Sequence, residues 1–426
     1  MKKILFYSPD VADLETRCRT VSICQFLLSA IPGLFIKIIN GSSMIGGEGN
    51  PEGFAHGQLP IVTKAKRDGL GGEEPDRHQP FNRRADSLLR QVVEFQPDLM
   101  LVDKMPHGVR NELAPVLANR REHLPQTKMA MIFPDIIGSS ADVKAVWKKL
   151  GCFEAMEQYY DQILILGSPR VFDAREEYGF SSSISARTKF LGYMRRSRGM
   201  PSARMVRSAL GIGMKESLVV ITAGADPNDV EFFNGYLNGL EQVAGQAGFN
   251  SLLALDSDMS KAGQKSLTNR AGQLADVKTL AVGDDLMSLI EAADLVVSRG
   301  GYRSMCEILT LNKAAVVIPR GKSAQDESIR VSRMARLGFV TMLPPDQWTA
   351  GWWIGTIRQG LQDKKCASRK AFPLSLDALP HLAEAVSTLL RLPESEKFPP
   401  FPADEPGLFG TGSVSHALKP FLSGML

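Results

Sequence analysis

At 426 residues, with 44% hydrophobic and 23% charged side chains, the chain has a soluble globular composition but is too long for one core, so two domains of about 150–200 residues each are expected. The net charge of +4 is too small to argue for nucleic acid; it fits anionic small ligands or weak attraction to an acidic membrane. Five cysteines, an odd number without a CxxC pair, argue against a disulfide framework or zinc knuckle and for a reducing cytoplasm. The apolar run after Lys2-Lys3 stops at Ser8, Pro9 and Asp10, too early for a signal peptide, and no stretch approaches the roughly 18 apolar residues of a membrane span. The expectation is a cytoplasmic protein, at most peripheral to a membrane. Its basic clusters, at Arg83-Arg84, Arg120-Arg121 and Arg195 to Arg198, read as solvated faces, with phosphate or lipid-headgroup contact as the alternative.

Strands and helices alternate from the first residues. KKILFYS opens as a buried strand, Arg17 to Leu28 carries a helical pattern, and LFIKIIN, 34 to 40, is the next strand. A Gly-rich loop at 41 to 53 and a polar, exposed stretch to about 80 follow. Helical patterns at 87 to 94 and 109 to 121 interleave with strands at 98 to 102, 128 to 133 and 163 to 166. Apolar periodicity lapses over FLGYMRRSRGMPSAR, 190 to 204, which is read as the interdomain linker. The pattern then restarts, with strands at 217–225, 251–257, 277–283, 295–298 and 314–319 and helices at 230–247, 285–292 and 305–311. Such alternation implies parallel βαβ units in two doubly wound halves. Pro380 begins a last helix with Leu382, Ala385, Val386, Leu389 and Leu390 on one face, and beyond Pro393 an extended tail is expected. The expected division is 1–195, 204–375, a helix at 376–392 and a tail at 393–426.

The chemistry concentrates in SRGGYRSMCEIL. A strand ending at Ser298 and a helix starting near Ser304 leave a tight loop at the carboxyl edge of a parallel sheet, where open α/β sheets bind ligands. Gly300 and Gly301 would let a phosphate approach backbone N–H groups at the positive end of the helix. Arg299 or Arg303 could add a forked contact, and Glu307, one turn along, suits two vicinal hydroxyls such as those of a ribose. The bland reading is a structural pair of glycines at a βα turn. Downstream, a strand ends at Pro319-Arg320, and Asp326 and Glu327 open a helix carrying Arg330, Arg333 and Arg336. Helix capping competes with ligand binding for that acidic pair.

These residues carry a resemblance. ADLVVSRGGYRSMCEILTLNKAAVVIPRGKSAQDESIRVSRMARLG resembles the donor-binding region of GT-B glycosyltransferases, in particular a bacterial group related to the peptidoglycan N-acetylglucosaminyltransferase. LVDKMPHGVRNEL, YYDQILILGSPRVFDAREEYG, FLGYMRR and the N-terminal KKILFYSPD extend the similarity. It implies an α/β GT-B fold, two Rossmann-like doubly wound domains facing a cleft, with the C-terminal helix crossing back. It implies that Glu307 contacts the donor ribose, that Ser298, Gly300, Gly301, Tyr302, Arg303 and Ser304 meet the diphosphate, and that Asp326 and Glu327 recognise the sugar; Arg299 and Arg320 are further donor-binding candidates. Gly224 and Ala225 match a turn near the phosphates. The implied activity is inverting, metal-independent sugar transfer from a nucleotide-diphosphate sugar, UDP- or dTDP-linked, with no bound cofactor.

The resemblance has one gap. Where the group has a Gly-rich turn ending in Gly-His, this chain has SPDVADLETR, with Glu15 and Thr16 at those two places. The reaction requires a base for the acceptor proton. Asp10, Asp13, Glu15 and Asp135 are the candidates, against plain capping of a helix near Leu14 or a loop turn. The six histidines show no metal-ligand spacing; His107, beside Asp103 and Lys104, reads as surface loop. Natural product, lipid-linked sugar, polysaccharide and modified nucleobase all remain open as acceptor. A catalytically silent partner subunit and a sugar-nucleotide epimerase or hydrolase are the alternatives to a transferase.

Overall fold

The computed structural model describes residues 1–9, 14–41, 53–60, 79–196, 202–223, 229–243, 247–256, 259–282, 286–321, 324–344, 350–366 and 374–393. The described residues divide into two compact units, one running from 1 to 192 with 377–393 and one from 193 to 376.

The first unit is built on seven parallel strands: β1 (Lys2–Tyr7), β2 (Leu34–Asn40), β3 (Phe54–Gln58), β4 (Leu99–Asp103), β5 (Lys128–Pro134), β6 (Gln162–Leu166) and β7 (Thr188–Phe190). Their order is β3-β2-β1-β4-β5-β6-β7, so the winding reverses between β1 and β4. The central strands are apolar except at their ends, as strands covered on both faces must be; LMLVD of β4 is buried at every position. The helix Ala378–Leu389 clusters with this unit, buries Leu382, Ala385 and Val386, and packs on the helix Leu14–Ala30.

The second unit has six parallel strands: β8 (Leu218–Thr222), β9 (Asn250–Asp256), β10 (Val277–Val282), β11 (Leu295–Ser298), β12 (Ala314–Val317) and β13 (Thr341–Met342). The order β10-β9-β8-β11-β12-β13 places its reversal between β8 and β11. Phe232, Phe233, Tyr236 and Leu237 of the helix Val230–Gln242 close on one face with Trp353, Ile354 and Ile357 of the helix Ala350–Cys366. Each such side chain contributes about 1.5–3 kcal/mol through burial.

Three expectations need correction. The stretch from 54 to 58, read as exposed and irregular, is β3, paired in parallel with β2. Its sequence, FAHGQ, lacks the usual β-branched pattern because it sits at the sheet edge, with most positions only half buried. The helix read over 109–121 instead begins at Ala114, because the backbone is left-handed at Arg110 (φ 48°) and Asn111 (φ 70°). The helices Ser140–Lys149, Cys152–Tyr159 and Ala350–Cys366 went unread, although Trp353, Ile354, Ile357 and Leu361 show helical spacing.

Candidate functional site

In the second unit, β8 and β11 lie side by side at the reversal, with Ser298 opposite Thr222. The loop leaving β11 is shaped by Gly300, whose φ of 92° is costly for any residue with a side chain. A Cβ there would overlap Val331 and come within 2.8 Å of Val317 Cγ1, so glycine is needed for packing as well as for conformation. The helix Tyr302–Thr310 begins at once. Gly301 is its N-cap residue and no side chain caps it, while the first full-turn bond runs from Met305 N to Gly301 O at 3.0 Å. The N–H groups of Tyr302, Arg303 and Ser304 therefore have no acceptor within the helix, whose positive end favours an anion.

Glu307 follows one turn later and is completely buried. Arg303 Nε donates to its Oε1 at 2.9 Å, whereas Oε2 has no hydrogen-bond partner among the described residues. Ser298 Oγ, also buried, is in the same condition. Buried polar atoms of this kind are uncommon in folded proteins.

Arg299, one of the two arginines considered for a forked contact, is bonded within the protein. Its guanidinium grips both oxygens of Asp229, at 2.5 and 2.7 Å, and lies over the Phe232 ring at 4.4 Å. Asp229 in turn caps the helix Val230–Gln242 by accepting from Phe232 N. Arg299 thus fastens the β11 loop to the connection that follows β8. Sequence reading missed Asp229, whose local signal is only that of an N-cap.

The acidic pair is likewise held by arginines, and neither residue caps its helix. Ala324 is the cap residue of Gln325–Arg336, and no side chain supplies a capping bond. Asp326 faces Arg330 at 3.4 Å, and Arg330, fully buried, also donates to Gly300 O at 3.2 Å. Glu327 receives Arg320 Nη2 at 3.2 Å and Arg320 N at 3.4 Å. Burial pushes the Glu327 carboxyl up to about 7, against the opposing pull of Arg320. Arg330 is the second residue missed as part of the site, since an arginine on a polar helix face reads locally as solvated. Ser298, Arg299, Gly300, Gly301, Tyr302, Arg303, Ser304, Glu307, Arg320, Asp326 and Glu327 belong to the second unit, grouped on the loops and helices that follow β11 and β12. Gly224 and Ala225 lie outside the described residues.

Of the candidate bases, Asp10 and Asp13 also lie outside the described residues. Glu15 is half buried in the first turn of Leu14–Ala30, and Asp135 is buried just past β5, where its Oδ1 accepts from Ile136 N at 2.8 Å. Thr16, at the place of the missing histidine, is buried and accepts Lys104 Nζ at 2.9 Å. The loop leaving β4 is left-handed at Lys104, Gly108, Arg110 and Asn111 and is tied to the sheet through Tyr7, whose hydroxyl accepts from Val109 N at 3.2 Å. Among the described residues, no group of three His, Cys, Asp or Glu side chains could hold a metal ion, and no helix is long and apolar enough to cross a membrane.

Two wound parallel sheets, one with a tight glycine loop at its reversal, define the class: the chain has the α/β GT-B fold. The structure is similar to MurG of Acinetobacter baumannii (TM-score 0.57, 13% identity, 91% of this chain and 100% of that one). It is similar also to the calicheamicin glycosyltransferase CalG4 (TM-score 0.59, 13% identity, 92% and 99%). Within the sequence, residues 239–333 match the C-terminal domain of glycosyltransferase family 28. A curated relative, the UDP-N-acetylglucosamine–N-acetylmuramyl-(pentapeptide) pyrophosphoryl-undecaprenol N-acetylglucosamine transferase of Streptococcus uberis, is 33% identical over 123 residues, 26% of this chain and 34% of the relative. The chain thus spans about a third of that relative's length. The resemblance read from the sequence holds: the chain is related to the GT-B glycosyltransferases of the peptidoglycan N-acetylglucosaminyltransferase group.

Proposed function

We propose that this protein is a glycosyltransferase that takes a sugar from a nucleoside diphosphate, UDP or dTDP, with inversion and without a metal. The second unit holds the donor and the first takes the acceptor, so that the division at 1–195 and 204–375 is also a division of labour. The observation that carries the reading is Glu307, a fully buried carboxylate with one oxygen that has no partner among the described residues, one turn into a helix that follows Gly300-Gly301 and has no side-chain cap among them. Ribose hydroxyls would donate to Glu307, and the N–H groups of 302–304 would meet the diphosphate. Asp326 and Glu327 would face the sugar, with Gly224 and Ala225 beside the phosphates.

The acceptor oxygen forms its bond to the anomeric carbon as the bond to the diphosphate breaks. Its proton passes to a carboxylate of the first unit, for which Asp10, Asp13, Glu15 and Asp135 are the candidates. The leaving charge is stabilised by the helix N-terminus, so the step needs no metal. For the acceptor, the name of the curated relative favours a lipid-linked sugar, reached by peripheral contact with the cytoplasmic face of a membrane.

Thr16 favours a second reading. A buried threonine bound to Lys104 stands where the group has its histidine, and a partner subunit that binds nucleotide without turnover would tolerate that change.

The test is calorimetric titration of UDP, dTDP, GDP, ADP and CDP and their sugars into wild type and Glu307→Ala, with donor consumption followed in parallel. Glu307→Ala is expected to weaken the preferred diphosphate by ~1–3 kcal/mol, about 5- to 150-fold. Absence of any binding and any consumption would remove the donor site. Binding without turnover would favour the partner subunit, and donor loss without acceptor an epimerase or hydrolase.

A further inference from the structure

The chain leaves the first unit between Gly192 and Tyr193 and comes back to it between Leu376 and Asp377. On the second unit's side the two passages are bonded to each other, Tyr193 N donating to Ser375 O at 2.8 Å and Arg195 N to Leu376 O at 3.0 Å. Connections between domains are ordinarily exposed and polar, yet Tyr193 and Met194 are buried. The reason lies in the helix Tyr302–Thr310, to which the first passage is fastened at both ends. The Tyr193 ring stacks on that of Tyr302, with centroids 5.9 Å apart and planes 29° from parallel. At the other end Arg196 N donates to Thr310 Oγ1 at 3.1 Å. Tyr302 is also held from the loop after β12: the Arg330 guanidinium lies 5.9 Å from its ring centroid and donates to Gly300 O at 3.2 Å. Tyr193, Gly300, Tyr302 and Arg330 therefore form one buried assembly around the first turn of that helix.

We propose that Tyr193 is a positioning residue that couples the diphosphate site to the connection between the units: through Tyr302 it sets the first turn for the diphosphate, and an occupied turn in return tightens the backbone bonds of 193–196. The inference rests on the donor reading above, in which the N–H groups of 302–304 meet the diphosphate. A ligand that orders Tyr302 reduces the freedom of the ring stacked on it. The bonds made by Tyr193 N, Arg195 N and Arg196 N then open less often. Linkage makes the effect reciprocal, so whatever the stack adds to the ligand's affinity, the ligand adds to the stack.

The experiment takes the tightest of UDP, dTDP, GDP, ADP and CDP and measures its binding, and amide hydrogen exchange at saturation, in wild type, Tyr193→Phe and Tyr193→Leu. In wild type, exchange over 193–196 is expected to slow about tenfold, within the usual range of coupling between two sites. The helix Lys261–Ala271, elsewhere in the second unit, should be unchanged. Tyr193→Phe keeps the ring and is expected to keep both the slowing and the affinity. Tyr193→Leu keeps apolar bulk without the ring; it is expected to lose most of the slowing and to bind the diphosphate about tenfold more weakly. A diphosphate that binds wild type without slowing 193–196, or that slows Lys261–Ala271 equally, overturns the coupling while the donor site stands. Wild type alone decides this, whether or not the variants fold. Slowing retained in Tyr193→Leu would show the ring to be merely structural and overturn its role. Should wild type bind none of the five diphosphates, the donor reading falls, and the coupling with it.

Discussion

Arg299 and Asp229, 70 residues apart in sequence, form a two-pronged ion pair with N–O distances of 2.5 and 2.7 Å beneath the surface of the second unit. The pair joins the loop after β11 to the first turn of Val230–Gln242, so the two connections at the sheet reversal move as one. Lysine cannot reproduce the fork. Arg299→Lys is expected to lower unfolding stability by about 1.5–3 kcal/mol, and Asp229→Asn by a similar amount. In chemical denaturation the double variant should be little worse than either single one, because each already breaks the shared bond. Fully additive losses would mean the two residues act independently.

Glu327 predicts a pH dependence. Burial raises its carboxyl from 4.5 to about 7 in the folded chain, so the folded form holds this proton more tightly than the unfolded form. The stabilisation from Glu327 is whole below the unfolded value, and is lost as pH rises through the folded one. Glu327→Gln stays neutral throughout and lacks this loss. Between pH 5.5 and 8, wild type should therefore lose roughly 2 kcal/mol relative to the variant, following the usual conversion of about 1.4 kcal/mol for each pH unit. Parallel denaturation series at the two pH values measure the difference; a constant gap between wild type and variant would refute the assignment.

A third expectation concerns the first unit. Glu112, 1% exposed, accepts Arg84 Nε at 2.5 Å and Arg84 Nη2 at 3.0 Å, and also the Tyr7 hydroxyl. Burial, with the Glu112 charge next in weight, holds the Tyr7 phenol well above its usual range, so it remains a donor. The network pins the left-handed segment at Arg110 and Asn111 to β1 and to the helix Gln79–Phe95. Glu112→Ala leaves a buried guanidinium without its carboxylate, and should cost about 3–5 kcal/mol in the melting of this unit. A loss under about 1 kcal/mol would mean that water screens the pair.

Much of this was legible in the sequence. Strand and helix alternation, the tight Ser298–Gly301 loop and the place of Glu307 one turn into the next helix all follow from local period and from glycine. These are properties of a few neighbouring residues. β3 escaped because an edge strand needs little apolar surface, so FAHGQ carries no period to read. The break at Arg110 and Asn111 escaped because left-handed backbone at residues other than glycine is imposed by surrounding bonds.

By itself, then, the sequence determined two wound α/β halves and the tight glycine loop after β11, since hydrophobic period and backbone freedom are local. Only the tertiary structure decided what each charge does. Folding sets Arg299 against Asp229 and buries Arg330 on Gly300 O, and neither partner can be read from the residues beside it in sequence. Partners of charged side chains are chosen by which elements approach in space and how much water they exclude, and neither is written in the spacing of residues along one helix or loop.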